Sequence, residues 1–265
     1  MDKLAHLRSR LREFERVIIA FSGGADSALL AWVAHDELGY SNALAITAIS
    51  PSLAPEEEAE CRSLASEWGL NWRPVYTDEL ANTLYSANNG DRCYFCKSAL
   101  MDSLRPIASD ESATVLLGVN VDDLGDHRPG QEAAAERGAA FPMVDVGLNK
   151  AEVRLFSKEL GLRTWDKPAA ACLSSRVPYG TPVNLVTLSS VAKAESALRA
   201  LGFGSLRVRH YGDTARIEVD VADLPSVLEG RAAVVEGVKA AGYSYVTLDL
   251  EGLRSGNLNA ALSKS

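Results

Sequence analysis

Five apolar residues, Val17-Ile18-Ile19-Ala20-Phe21, run straight into Ser22-Gly23-Gly24-Ala25-Asp26-Ser27, and a helical pattern of Ala28, Leu29, Leu30, Trp32 and Val33 begins at once. No other stretch constrains the fold so tightly, because it reads only as strand, tight turn and helix. Paired glycines let the backbone approach a ligand closely. The amides that open the helix have no intrahelical partner, and the helix dipole favours negative charge there. The turn is therefore built to hold an anion, and phosphate is the obvious guest. The Lys-Ser/Thr ending of a Walker loop is absent, which argues against ordinary γ-phosphoryl transfer.

The flanking chain repeats the rhythm. Apolar runs at 17–21, 43–49 and 114–119 alternate with helical patterns at 26–38, 55–68 and 93–108. This alternation predicts an α/β fold with a doubly wound parallel sheet, whose ligand crevice lies beyond the carboxyl ends of the strands. The backbone around Ala48, at the end of the second strand, is then placed to meet an adenine. After a helix at 150–160 the alternation is lost: helix 185–201, strands 205–211 and 214–220, helix 223–241 and strand 244–249 follow. The sequence thus predicts one domain over 1–182 and a smaller α+β domain over 183–265.

Charge and composition narrow the partners. A formal net charge of -8 argues against a nucleic-acid partner. The chain has no run of 18 apolar residues, so no membrane association is expected. Met1 to Glu15 is charged throughout, with Leu4, Leu7, Leu11 and Phe14 at helical spacing. That is a surface helix rather than a signal peptide, and a cytoplasmic protein is expected.

Four cysteines are too few for a disulfide scaffold in 265 residues and point to metal binding or chemistry. Cys61 reads as a small core residue. Cys93 and Cys96 stand at C-x-x-C spacing, compatible with a redox pair, half a zinc site or cluster ligands. Cys172 lies in the irregular stretch from Lys167 to Gly180, with small residues before it and Arg176 and Pro178-Tyr179-Gly180 after it, a composition that suits a site. Asp122, Asp123 and Asp126 follow a buried-looking strand, where they either hold magnesium through its waters or merely solvate a loop. Arg207 and Arg209 alternate along one strand, with Arg216 on its hairpin partner. Their forked guanidiniums suit a phosphate or carboxylate, the alternative being a solvated sheet face.

Ser22-Gly23-Gly24-Ala25-Asp26-Ser27 resembles the SGGxDS loop of the PP-loop ATP pyrophosphatases, a superfamily with a HUP-like fold. There the loop grips the β- and γ-phosphates with Mg2+ while a substrate oxygen attacks the α-phosphorus. Within it the whole chain is similar to the LarE-type ATP-dependent sulfur transferases. The matching stretches are Arg92-Cys93-Tyr94-Phe95-Cys96-Lys97, Ala171-Cys172-Leu173-Ser174-Ser175-Arg176-Val177-Pro178-Tyr179-Gly180, Val208-Arg209-His210, Ala215-Arg216-Ile217-Glu218 and Tyr245-Val246-Thr247-Leu248-Asp249-Leu250.

That resemblance implies adenylation of pyridinium-3,5-biscarboxylic acid mononucleotide by ATP and its conversion to thiocarboxylates, for the nickel-pincer nucleotide cofactor of lactate racemase. It implies nucleotide binding by Ser22, Gly23, Gly24, Asp26, Ser27 and Ala48, and substrate binding by Arg207, Arg209 and Arg216. Asp26, Cys172 and Arg176 become the expected catalytic residues. Cys93, Cys96 and Cys172 match the subtype in which three cysteines hold a [4Fe-4S] cluster; the other subtype gives up the sulfur of one cysteine. ATP, Mg2+ and the cluster are thus the expected cofactors, the nucleotide substrate the expected partner, and a homo-oligomer is allowed. A tRNA-thiolating enzyme, an amidating ligase that would not need the cysteines, and an ATP-binding regulatory module with structural zinc are the alternatives.

Overall fold

The computed structural model describes residues 2–125, 129–168 and 171–254. In chain order they form helix α1 (Lys3–Arg12), strand β1 (Val17–Ala20), α2 (Ala25–Leu38), β2 (Ala43–Ile49), α3 (Pro55–Glu67), β3 (Asn71–Tyr76), α4 (Thr83–Ser86), α5 (Arg92–Asp110) and β4 (Thr114–Leu117). Then come α6 (Pro129–Glu136), α7 (Pro142–Asp145), α8 (Lys150–Glu159), α9 (Leu185–Ala200), β5 (Leu206–Tyr211), β6 (Thr214–Val219), α10 (Leu224–Glu229), α11 (Arg231–Ala240) and β7 (Tyr245–Leu248). Two compact units emerge. The first takes Met1–Ser50, Pro55–Glu79 and Cys93–Ala170; the second takes Pro51–Ala54, Leu80–Arg92 and Ala171–Ser265. The second unit therefore draws on two short upstream segments and begins at 171, whereas the sequence pattern changes at 183.

The first unit is the α/β fold that the strand-turn-helix predicts. Its sheet is parallel throughout, in the order β3-β2-β1-β4. Alternate residues of β1 feed opposite faces, as strand geometry requires. Val17 and Ile19 join Leu29, Leu30 and Val33 in one core, while Ile18 packs with Ile46, Met101, Leu104 and Val115 in the other. Strand β3 escapes the sequence reading because Asn71-Trp72-Arg73-Pro74-Val75-Tyr76 lacks an apolar run and carries a proline. It forms nonetheless, at the sheet edge, where a residue without an N–H is tolerated.

In the second unit β5 and β6 form an antiparallel hairpin and β7 adds parallel to β6. Val208, Ala215, Ile217 and Val219 pack against Ala194 and Leu198 of α9 and Val234 and Val238 of α11. The single helix expected over 223–241 is two, α10 and α11, broken at Gly230, whose φ of -84° and ψ of 11° leave the helical basin.

Candidate active site

Strand β1 delivers Phe21 into the turn, and Gly23 takes φ of +68°, a left-handed conformation natural to glycine. The turn closes on itself. The Ser22 amide donates to Ser27 Oγ at 3.2 Å, the two serine hydroxyls lie 3.0 Å apart, and Ser27 Oγ donates to the Gly24 carbonyl at 3.1 Å. Gly24 is the N-cap of α2 and supplies no side-chain cap, so the capping residue itself does not compete with an anion for the helix N-terminus. Gly118, just past β4, presses against that first helical turn. A Cβ built on it would lie 2.6 Å from the Ser27 nitrogen.

Asp26 projects from the first turn of α2 into a polar network. Asn120 Nδ2 donates to Asp26 Oδ1 at 2.9 Å and to Asp123 Oδ2 at 2.9 Å, and Lys150 Nζ pairs with Asp26 Oδ2. Asp122 does something else: its carboxylate accepts the Lys150 backbone amide at the start of α8. Of the three carboxylates read as holding magnesium or solvating a loop, Asp123 is linked to Asp26 through Asn120, Asp122 accepts the first amide of α8, and Asp126 lies outside the described residues.

Beneath the turn lies a second set of contacts. Thr47 Oγ1 donates to the Phe21 carbonyl at 2.7 Å and accepts from Trp72 Nε1 at 2.9 Å. Lys167 Nζ reaches the Gly23 carbonyl at 3.2 Å and the Glu57 carboxylate at 2.9 Å. Cys61 is fully buried there, and burial pushes its thiol pKa up to about 11 against the smaller pull of a hydrogen bond with Thr47 and the Lys167 charge. Such a thiol supplies almost no thiolate near neutrality and is removed from sulfur chemistry. The core role expected for Cys61 holds.

The second unit carries the Cys172 turn. Cys172 is exposed and opens a tight 3-10 turn, Leu173–Arg176, that is itself buried except at Ser175. Arg176 is buried against Glu195, with Nε to Oε1 at 2.8 Å and Nη2 to Oε2 at 3.1 Å, while its Nη1 serves the carbonyls of Ala171 and Cys172. Arg209 is clamped in the same manner. Its Nε and Nη2 lie 2.9 and 2.8 Å from Glu218 Oε2, and its Nη1 donates to the Ser175 carbonyl at 2.9 Å. Arg92 donates to the Ser174 carbonyl at 2.9 Å, and the Tyr85 hydroxyl meets Ser174 Oγ at 2.7 Å. Asn88 Nδ2 serves the carbonyls of Pro178 and Thr181, each at 2.8 Å. Most donors of Arg176 and Arg209 are thus committed inside the protein.

Arg207 differs. It is half-buried, its one described polar contact is the Arg254 carbonyl at 3.4 Å, and no carboxylate partners it among the described residues. Burial, then the charges of Arg209 and Arg176, lower its pKa. Arg216 pairs with Glu218 at 2.9 Å and lies 3.5 Å from Asp249. Arg176 and Arg199 share Glu195, Arg209 and Arg216 share Glu218, and the charges of Arg176 and Arg209 act on Arg207.

Comparison with known proteins adds to this geometry. The sequence model of the NAD synthase family matches residues 3–105. An uncharacterized protein of Synechocystis is 46% identical over 99% of both chains. A pyridinium-3,5-bisthiocarboxylic acid mononucleotide synthase of Lactiplantibacillus plantarum is 39% identical, over 99% of this chain and 96% of that one. The chain belongs to the LarE-type family. It is an ATP-dependent enzyme of the PP-loop class. The fold agrees: the structure of NMN synthetase from Francisella tularensis aligns with TM-score 0.53 at 19% identity, covering 64% of this chain and 74% of that one.

Set against this LarE-type chain, the expected residues fall into separate groups. Ser22, Gly23, Gly24, Asp26 and Ser27 form one turn, and Ala48 lies in β2 opposite Val75. Cys172, Arg176, Arg207, Arg209 and Arg216 gather in the second unit. Cys93 is exposed and Cys96 half-buried, one helical turn apart at the start of α5, and neither is in a disulfide. No trio of metal-ligating side chains is gathered among the described residues. Glu195, Glu218, Arg92, Asn88, Asn120 and Lys150 were given no role in the sequence reading, although Arg92 and Glu218 stand in its matching stretches. Their signal, a buried charge or amide, exists only once the chain has folded. Among the described residues, no helix is long and apolar enough to cross a membrane.

Proposed function

We propose that this enzyme converts the carboxylates of pyridinium-3,5-biscarboxylic acid mononucleotide to thiocarboxylates at the expense of ATP, acting in the cytoplasm on a small nucleotide rather than on RNA. The observation that carries this reading is the Cys172 thiol, exposed on a turn that two buried ion pairs hold still, in a chain 39% identical to the named synthase along its length. Backbone amides opening α2 receive the β- and γ-phosphates, and Asp26 is the carboxylate offered to Mg2+, with Lys150 adding positive charge beside it. A substrate carboxylate oxygen attacks the α-phosphorus and pyrophosphate leaves. A sulfur nucleophile then adds to the acyl carbon, the C–O bond to AMP breaks, and the thiocarboxylate remains. No electron transfer is needed. Arg207, which no carboxylate partners among the described residues, suits the anionic substrate, with Arg216 beside it. Arg176 and Arg209 act by holding the Cys172 turn.

The sulfur source is a [4Fe-4S] cluster held by Cys93, Cys96 and Cys172. The donor chemistry fits: three thiols, those of Cys93 and Cys172 exposed and that of Cys96 half-buried one helical turn from Cys93. When bound, such a cluster has one iron without a protein thiolate and can carry hydrosulfide. A second reading starts from the exposed thiol of Cys172 itself. In it, Cys172 attacks the acyl adenylate, AMP leaves, and loss of the Cα proton breaks the Cβ–S bond to leave dehydroalanine.

Iron and labile-sulfide analysis of protein purified without oxygen, with Cys93→Ser, Cys96→Ser and Cys172→Ser variants, separates the readings. About four irons per chain, lost in each variant, support the cluster. An iron-free protein in which Cys172 loses the mass of hydrogen sulfide on turnover selects the sacrificial route. ATP turnover that persists with no thiocarboxylate formed by either route overturns the function.

A further inference from the structure

The Gly23–Gly24 peptide is the least constrained link in the nucleotide-binding turn. Neither residue has a Cβ to bar its rotation, and glycine populates positive and negative φ about equally. A planar trans peptide points its carbonyl and its N–H in opposite directions. Whichever way the Gly23 carbonyl faces, the Gly24 amide faces the other. In this structure the carbonyl turns to the underside of the loop, where it meets Lys167 Nζ at 3.2 Å. That ammonium is itself held by Glu57 at 2.9 Å, and the Lys167 side chain is only 18% exposed. The underside is closed to anything larger: a Cβ on Gly23 would lie 3.0 Å from Cys61 Sγ and 3.8 Å from Lys167 Nζ. Thr47 fixes the Phe21 carbonyl from the same layer at 2.7 Å.

We propose that Lys167, held by Glu57, is a positioning residue for ATP: by binding the Gly23 carbonyl it sets the peptide so that the Gly24 amide is presented to the phosphates. The ammonium acts from behind the loop and need not touch the nucleotide. A charge-assisted bond to a carbonyl is strong enough to choose between two orientations that glycine leaves nearly equal. Preorganised amides bind an anion without the cost of ordering them on arrival. The proposal rests on nucleotide binding at this loop and is independent of the source of sulfur.

The test is calorimetric binding of a non-hydrolysable ATP analogue with Mg2+ to wild type, Lys167→Met, Lys167→Arg and Glu57→Gln, paired with the Gly24 amide resonance in glycine-labelled protein. Lys167→Met is expected to bind about tenfold more weakly or worse, Glu57→Gln to fall between, and Lys167→Arg to recover part of the loss. In Lys167→Met the Gly24 amide is expected to shift or broaden before any ligand is added. Unchanged affinity in Lys167→Met overturns the proposal. So does weakened affinity with an unmoved ligand-free Gly24 amide, which means that Lys167 touches the phosphates directly. Should Lys167→Met fail to fold, Glu57→Gln decides by the same two readings. Wild type that binds no analogue removes the nucleotide site itself, a distinct failure.

Discussion

Ser22–Ser27 and the turn at Cys172 are both short irregular segments that have to stay still, yet they are held in different ways. The first is closed mostly by bonds spanning no more than five residues, between Ser22, Gly24 and Ser27. The second owes its shape to residues far away in sequence: Tyr85, Asn88, Arg92, Glu195, Arg209 and Glu218. A site that binds phosphate is built from backbone amides and needs small residues. A site that presents one side chain is built by clamping the carbonyls around it with guanidiniums. Those guanidiniums then require buried carboxylates, since an unpaired buried charge is far costlier than a paired one.

The largest effect should come from breaking such a pair. Glu218 is fully buried between Arg209 and Arg216. Glu218→Ala is expected to lower stability by about 3–5 kcal/mol, measured by urea denaturation, because it leaves a buried guanidinium without its counter-charge. Conditions that keep the variant folded should still show ATP-analogue binding within about threefold of wild type, since the phosphate turn closes on its own local bonds. Loss of that binding in the folded variant breaks the comparison.

Gly118→Ala attacks the other region. Its new methyl would meet the Ser27 nitrogen at 2.6 Å and the Ser27 Cα at 2.8 Å, backbone atoms that cannot rotate away. Overpacking of this kind costs about 1–3 kcal/mol. Nucleotide affinity should fall at least about tenfold as the first turn of α2 is pushed aside. The alkylation rate of Cys172 should not change. Undiminished affinity would show that the turn tolerates displacement and that its tight closure is incidental.

These contrasts explain what was legible in the sequence. Val17–Ser27 announces itself because its information is local: an apolar run, two glycines and a helix. The alternation of strands and helices gave the parallel sheet for the same reason, and β3 was lost where Pro74 and the polar Asn71 and Arg73 disguised an edge strand. Arginines at 207, 209 and 216 were visible as a cluster, but spacing cannot say that Arg209 is committed to Glu218 and Ser175 while Arg207 keeps no carboxylate among the described residues. Glu195 illustrates the limit. On the page it is one more charged residue of a helix, and in the fold it binds Arg176, Arg199 and the Val208 amide.

The smallest effect concerns the cysteines, which divide between the same two roles. Cys61 is part of the packing under the phosphate turn, whereas Cys172 and Cys93 are presented to solvent. Brief iodoacetamide treatment of the native protein should label Cys93 and Cys172 and spare Cys61, as peptide mass mapping would reveal. The buried thiol also sets a pH dependence whose sign follows from linkage. Its folded pKa of about 11 lies above the ordinary thiol value of 9.0, so the folded chain holds this proton more tightly than the unfolded one. Its contribution is complete below pH 9.0 and is lost as pH rises towards about 11. Cys61→Ala removes that dependence, so the variant's midpoint of urea denaturation should decline less than wild type over that window. Equal decline in both proteins would mean that the thiol is reached by solvent. The layer beneath the phosphate turn would then be looser than the 3.0 Å between Cys61 Sγ and a Cβ built on Gly23 implies, and Lys167 and Thr47 would support the turn from below without Cys61.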